Sequence, residues 1–343
     1  MTKTNSRVLL KSRPQGWVSE DNFQFDETDV KEPENGQVLV RNLYMSVDPY
    51  MRARMNEMKS YIPNFQIGEP LQAGVVGVIE ASQHPDYAEG DLVTGMLNWE
   101  NYTMTNGMDL RGMPLTKVQN GHFPLSYYLG ILGMPGMTAY TGLVGIGQAK
   151  AGENVFVTAA SGAVGSVVGQ IAKNIGCRVV GSAGGEEKCA FLKELGFDDT
   201  IDYKATDNAH KAVQAAFPDM IDVHFENVGG PMFEAAIMNM NLMGRIALCG
   251  MIADYNRKLE DMAPGPRGLF TLIGRNIMMQ GFIVSNYPDH CAKWIEVAVP
   301  WLAEGKLKYR ETVSEGIKNA PSAFIGMLKG QNFGKQIVKL GDL

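Results

Sequence analysis

Val155-Phe156-Val157-Thr158-Ala159-Ala160-Ser161-Gly162-Ala163-Val164-Gly165-Ser166-Val167-Val168-Gly169-Gln170 decides the fold. A β-branched and aromatic run ends in small residues and resumes as a helical pattern through Val164, Val167, Val168 and Ile171. That order is strand, tight turn, helix. Gly162 and Gly165 keep side chains out of the turn, so a pyrophosphate can approach the backbone and rest on the helix N-terminus, where free N–H groups and the dipole favour an anion. With Ala160 in the first glycine position, the motif reads A-x-G-x-x-G, a degenerate form of the dinucleotide fingerprint. A Gly-rich loop packed on a neighbouring strand would look the same in isolation. The flanks lower that alternative: Gly176 stands where a helix ends, and Arg178-Val-Val-Gly181 reads as a second buried strand.

The alternation continues. Glu186 to Leu195 has helical spacing, closed by Gly196, and Thr200-Ile-Asp202 reads as a short strand. Asp207 to Phe217 reads as a helix. Ile221 to Phe225, Gly244 to Cys249 and Ile277 to Val284 are three further strand candidates. Six strands with helices between them predict an α/β Rossmann-type domain, a doubly wound parallel sheet. Residues 1–128 have another texture. Ser6 to Leu10, Gln37 to Arg41, Gly74 to Ile79 and Asp91 to Thr94 are short strand candidates separated by Pro, Gly, Asp and Asn, which predicts a barrel-like, β-rich domain. From Ile131 to Tyr140 the pattern is helical. The expected division is a β-rich catalytic domain over 1–128, a dinucleotide domain over 129–300, and a return to the first domain over 301–343, including Phe333 to Lys339.

The choice of nucleotide rests on a missing acid. NAD-binding units place a carboxylate about 20 residues past the first glycine, on the ribose hydroxyl. Here that region is Val180-Gly-Ser-Ala-Gly-Gly185, which leaves room for a 2′-phosphate, with Lys188 and the hydroxyl of Tyr203 as its ligands. NADPH is therefore expected over NADH. For Lys188 the competing reading is a solvated helix charge beside Glu186 and Glu187.

Bulk properties narrow the function class. The chain has 343 residues, 31 Lys and Arg, and a net charge of −6, with no basic stripe, so nucleic acid is not expected as a partner. The four cysteines (Cys177, Cys189, Cys249, Cys291) form no C-x-x-C pair and read as reduced core thiols of a cytoplasmic protein. No apolar leader and no run of 18 apolar residues is present, so neither secretion nor membrane spanning is indicated. The histidines (His84, His122, His210, His224, His290) form no ligand-spaced set with each other or with cysteine, so no metal site is expected. His224 lies in an apolar strand and reads as a core residue.

From end to end the chain resembles the zinc-independent medium-chain dehydrogenases/reductases. Ser46-Val-Asp-Pro-Tyr-Met-Arg52, Gly133-Met-Pro-Gly-Met-Thr-Ala-Tyr140, Ala159 to Gly169, Glu187-Lys188, Phe225-Glu-Asn-Val-Gly-Gly230, Asp254-Tyr-Asn256 and Gln331-Asn-Phe-Gly-Lys335 carry the likeness. Together they resemble the branch of the leukotriene B4 dehydrogenases/prostaglandin reductases and the double-bond reductases, and most of all the bacterial NADPH-dependent curcumin reductases. Zinc-dependent relatives carry Gly-His-Glu where this chain has Gly68-Glu-Pro70. The resemblance implies a GroES-like β domain, a homodimer joined near Ile277 to Val284, and NADPH-dependent reduction of the carbon–carbon double bond of enones. Tyr255 would stabilise the developing enolate oxygen, since a phenol near pKa 10 can give a hydrogen bond or a proton. Gly162, Ala163, Val164, Gly165, Asn227 and Asn332 would hold the nucleotide, and Cys249, Gly250, Met251, Ile252, Phe282, Ile283 and Val284 would line its nicotinamide half. Tyr50, Met51 and Tyr102 would form a wall of the substrate pocket, although Met51 reads equally as core filling. Two other readings share the fold: an NADPH quinone reductase (or alcohol dehydrogenase) and a non-catalytic NADPH-binding protein. A short-chain dehydrogenase is disfavoured because no Tyr-x-x-x-Lys is present.

Overall fold

A computed structural model describes residues 3–119, 121, 123–261 and 265–343. The chain divides into two compact units, one of residues 1–129, 311–332 and 336–343, the other of 130–310 and 333–335.

The first unit is built from strands. β1 (Thr4–Leu10) pairs with β2 (Phe23–Asp29) as an antiparallel ribbon. β3 (Val38–Ser46) is followed by the short helix α1 (Tyr50–Arg54), then by β4 (Gln72–Ser82), β5 (Leu92–Asn98), β6 (Tyr102–Thr105) and β7 (Thr116–Lys117). β2 and β6 were not evident from the sequence. β2 (Phe-Gln-Phe-Asp-Glu-Thr-Asp) exposes most of its side chains and so lacks a strong apolar run.

The second unit begins with helix α2 (Met134–Tyr140) and a wider helical turn over Thr141–Ile146. The doubly wound part follows: β8 (Asn154–Val157), α3 (Gly165–Ile175), β9 (Arg178–Ala183), α4 (Glu186–Glu194), β10 (Asp199–Asp202), α5 (Ala209–Ala216), β11 (Ile221–Glu226), α6 (Gly230–Met238), β12 (Met240–Leu248), α7 (Phe270–Gly274) and β13 (Met278–Gly281). Helix α8 (Pro288–Ala303) completes this unit. The chain then returns to the β-rich unit as β14 (Glu311–Glu315), α9 (Ala320–Leu328) and β15 (Lys335–Lys339). There, β14-β15-β3-β4-β5-β7 form one sheet, with β6 added on β3.

Among the described residues the parallel sheet runs β10-β9-β8-β11-β12-β13. β8 is central, and Val155, Phe156 and Val157 are fully buried, as a strand covered on both faces requires. Val167, Val168, Ile171 and Ala172 of α3 are also fully buried, and burying each large side chain contributes roughly 1.5–3 kcal/mol. Gly176 ends α3 at φ 100°, in the left-handed region, with the Gly176 and Cys177 amides donating back to Lys173 and Ala172. The strand expected over Ile277 to Val284 is shorter. It stops at Gly281, and Val284–Asn286 forms a helical turn, because this apolar run serves only an edge strand before the chain turns into α8.

Candidate active site

The glycine turn between β8 and α3 is built for close approach. A side chain at Gly165 would place its Cβ 2.5 Å from the Ala159 carbonyl oxygen, so the turn closes only with glycine there. At Gly162 the nearest atom to such a Cβ is the same oxygen, at 3.2 Å. Ala159 itself is held at φ 47°, a left-handed conformation uncommon outside glycine. No side chain caps α3; the Ser166 and Val167 amides donate to the Gly162 and Val164 carbonyls, whereas those of Val164 and Gly165 can face a diphosphate. The cofactor's group therefore fits this turn. The segment 333–335 docks on it: the Gly334 amide donates to the Ser161 carbonyl at 2.8 Å. Asn332 directly precedes that segment.

A second cluster lies at the end of β9. Gly184 carries no side chain, and the Tyr203 hydroxyl sits 2.7 Å from where its Cβ would be, beside the Lys204 side chain. Lys188, on α4, lies with its ammonium 5.4 Å from the Phe333 ring centre, and Arg310 covers the same ring at 4.5 Å. Burial, with the neighbouring charge of Lys204 added, pushes the Lys188 ammonium below the usual lysine range. Lys188 and Lys204, close enough to repel each other, with the Tyr203 phenol beside Lys204, suit a phosphate dianion. The structure also shows what the local sequence hid: Asp202, on the adjacent strand, accepts the Gly185 amide at 2.9 Å, so the turn has a carboxylate that arrives from another strand.

The third cluster joins the ends of β11 and β12. Cys249 and Gly250 donate from their amides to the Glu226 carbonyl, and Ile252 donates to that of Asn227. The Asn227 side-chain amide donates to the Thr158 carbonyl at 2.7 Å, and its backbone N–H donates to the Thr158 hydroxyl at 2.8 Å. Tyr255 follows on the same loop. Its hydroxyl lies 3.2 Å from where a Gly250 Cβ would be and accepts the Met251 amide at a long 3.4 Å. Asn227, Gly250, Met251, Ile252 and Tyr255 are thus one assembly at the carboxyl edge of the sheet, where doubly wound folds bind ligands. Phe282 meets Phe225 edge-on, with ring centres 6.3 Å apart, and is half-buried like Ile283 and Val284. The Cys249 thiol is pushed up to about 12 by burial and by Glu226, so it stays protonated at neutral pH. All four cysteines are free. Cys177 is buried and the other three are half-buried, so only Cys177 fits the expected core environment.

In the β-rich unit, Tyr50 and Met51 belong to α1, whereas Tyr102 opens β6. Met51 is fully buried, and its side chain fills the core of this unit. Tyr50 is half-buried, and burial raises its pKa, so its phenol stays protonated. Tyr102 is anchored by Asn5, whose side chain bonds both its N–H and its carbonyl. Among the described residues no group of three or more His, Cys, Asp and Glu side chains could hold a metal ion. His122 lies outside the described residues, and His224 is fully buried with both ring nitrogens bonded.

Thr158, Glu226 and Phe333 complete these clusters but were not singled out as site residues from the sequence. A carboxylate closing an otherwise apolar strand, as Glu226 does, was the available signal.

Two family models match the chain: the N-terminal domain of oxidoreductases over residues 6–113 and the zinc-binding dehydrogenase model over 163–304. The NADP-dependent 2-alkenal reductase of Nicotiana tabacum is 45% identical over 98% of this chain and 97% of its own. The NADPH-dependent curcumin reductase of Escherichia coli (strain K12) is 44% identical over 98% of both chains. The crystal structure of CurA from Vibrio vulnificus in complex with NADPH superposes with a TM-score of 0.92, at 42% identity, over 98% of this chain and 100% of that one. Likeness at this level, over nearly the whole length, places the chain: it belongs to the medium-chain dehydrogenase/reductase family, in the branch of the double-bond reductases.

Proposed function

We propose that this protein reduces the carbon–carbon double bond of α,β-unsaturated ketones and aldehydes, curcumin-type enones included, with NADPH. The observation that carries the reading is near-full-length likeness to an alkenal reductase and a curcumin reductase. Bound at the glycine turn, NADPH supplies a hydride. In the turn that Gly162 keeps open, the amides of Ala163, Val164 and Gly165 would hold its diphosphate, Lys188 and Tyr203 its 2′-phosphate, and Asn227 and Asn332 would contact the nucleotide. Backbone groups of Cys249 to Ile252 and the side chains of Phe282 to Val284 line the nicotinamide half.

Hydride addition at the β-carbon shifts negative charge onto the carbonyl oxygen, and the Tyr255 hydroxyl donates a hydrogen bond there. The α-carbon then takes a proton. No Lewis acid is assigned, so hydrogen-bond donors carry the polarisation. Tyr50 and Tyr102 supply flat surfaces for a conjugated substrate, whereas the fully buried Met51 belongs to the core and offers it none. Oxidation of NADPH followed against curcumin, 2-alkenals, a 15-oxo-prostaglandin and a quinone tests this. Turnover of enones is expected, and turnover of the quinone alone would replace the reading.

The protein also acts as a homodimer in this reading. β13 is the edge strand of the parallel sheet, and Phe270, Ile273, Met278 and Met279 around it are exposed. Light scattering should give twice the 37.5 kDa chain mass, and a monomer at micromolar concentration would refute the dimer. No helix among the described residues is long and apolar enough to cross a membrane, and free cysteines accord with a cytoplasmic setting.

A further inference from the structure

His224 and Glu226 are wholly enclosed at the end of β11, with 0% of either side chain exposed. The His224 ring lies near-parallel to those of Phe156 and Phe233, with centres 5.1 and 6.0 Å away. Its Nδ1 lies 3.1 Å from the Phe156 carbonyl oxygen, and Nε2 lies 2.6 Å from Glu226 Oε2. A carbonyl oxygen only accepts, so Nδ1 carries a hydrogen. One more proton must then lie in the short Nε2–Oε2 bond. Whichever atom holds it, the pair is neutral as a unit, the form in which a buried acid and base are least costly.

With Oε2 engaged by the histidine, Oε1 gathers three donors: the Thr158 hydroxyl at 2.9 Å, the Gly229 amide at 2.8 Å and the Val228 amide. That commits the Thr158 proton, and the same hydroxyl accepts the Asn227 amide. Asn227 is therefore pinned from both sides, by Thr158 and by the turn that Glu226 ties together. The carbonyls of Glu226, Asn227 and Val228 in turn receive Cys249, Gly250, Ile252 and Ala253, so this turn is the template for the loop that carries Tyr255.

From this geometry we infer that the His224–Glu226 pair is a positioning device for cofactor binding. It acts through Thr158 and Asn227 and touches neither cofactor nor substrate. The inference rests on the NADPH reading above. Three full-length variants test it: Thr158→Val, Glu226→Leu and Glu226→Gln. Each is measured for NADPH dissociation constant, kcat at saturating NADPH, melting temperature, and amide hydrogen exchange of the 226–230 and 249–255 segments without ligand.

Thr158→Val, which deletes two of these buried hydrogen bonds, should weaken NADPH binding about tenfold, and Glu226→Leu, which deletes four, at least as much, while kcat at saturation changes much less. Both segments should exchange faster. Glu226→Gln keeps an acceptor for the turn and offers an N–H to His224 Nε2, so it should retain wild-type affinity within about twofold. If Glu226→Leu does not fold, Thr158→Val, which exchanges a hydroxyl for a methyl of similar size, decides. Lower melting temperature with unchanged affinity would make the pair merely structural and overturn the inference. So would a loss in Glu226→Gln as deep as in Glu226→Leu, which would assign the effect to charge. A wild-type chain that fails to bind NADPH would instead refute the proposed function, and the exchange rates of Thr158→Val would still decide whether the pair holds the turn.

Discussion

In the proposed mechanism Tyr255 carries the chemistry and Lys188 the cofactor choice. Tyr255→Phe keeps the ring and deletes one oxygen. Loss of a single donor to a developing oxyanion costs about 10²–10³ in rate where the site is dry and pre-organised. A smaller fall in kcat is expected here, since a ribose hydroxyl of bound NADPH would offer a second donor to the oxygen and water would supply the α-proton. NADPH affinity and melting temperature should hardly move. Unchanged kcat on an enone, with hydride transfer shown to limit turnover, would reduce Tyr255 to loop packing. Lys188→Ala should raise KM for NADPH and leave NADH nearly unaffected, because the ammonium beside Phe333 and Lys204 serves only the 2′-phosphate in this account. Equal losses for both nucleotides would contradict that role.

At the scale of elements, close contacts between helix and strand hold the glycine turn in place. A Cβ at Gly169 of α3 would lie 1.9 Å from the Phe197 ring, which is itself buried under the sheet. Gly169→Ala brings two effects into competition. Alanine gains about 1 kcal/mol of helix propensity, whereas overpacking costs about 1–3 kcal/mol, so net destabilisation is expected in thermal or urea unfolding. A stabilised variant would show that α3 can lift off the sheet.

The β8–α3–β9 unit was readable from sequence because its signals are local: buried strands, a glycine turn and a C-cap glycine within one stretch. What stayed hidden is non-local. The Asp202 carboxylate reaches the β9 turn from a different strand, Glu226 gathers donors from three positions, and Phe333 returns from the C-terminal segment to lie beside Lys188. No periodicity within one element encodes such meetings. The over-long strand at Ile277 to Val284 failed for the opposite reason, since an apolar run of that length reads alike whether it is a strand or a strand followed by a turn.

The whole molecule is read as a reductase that works without metal. Its donor set supports this: Gly68-Glu69-Pro70 offers no histidine, and the described residues contain no cluster of ligand side chains. Activity should survive exhaustive chelation, and elemental analysis should find well below one zinc per chain. Inactivation reversed by zinc would contradict the mechanism. The central claim concerns which bond is reduced, and product analysis addresses it most directly. The full-length protein is incubated with NADPH and a 2-alkenal, and the product is identified by NMR. The saturated aldehyde, with its carbonyl intact and one NADPH consumed per molecule, is the predicted result. An allylic alcohol with the double bond intact would contradict the account.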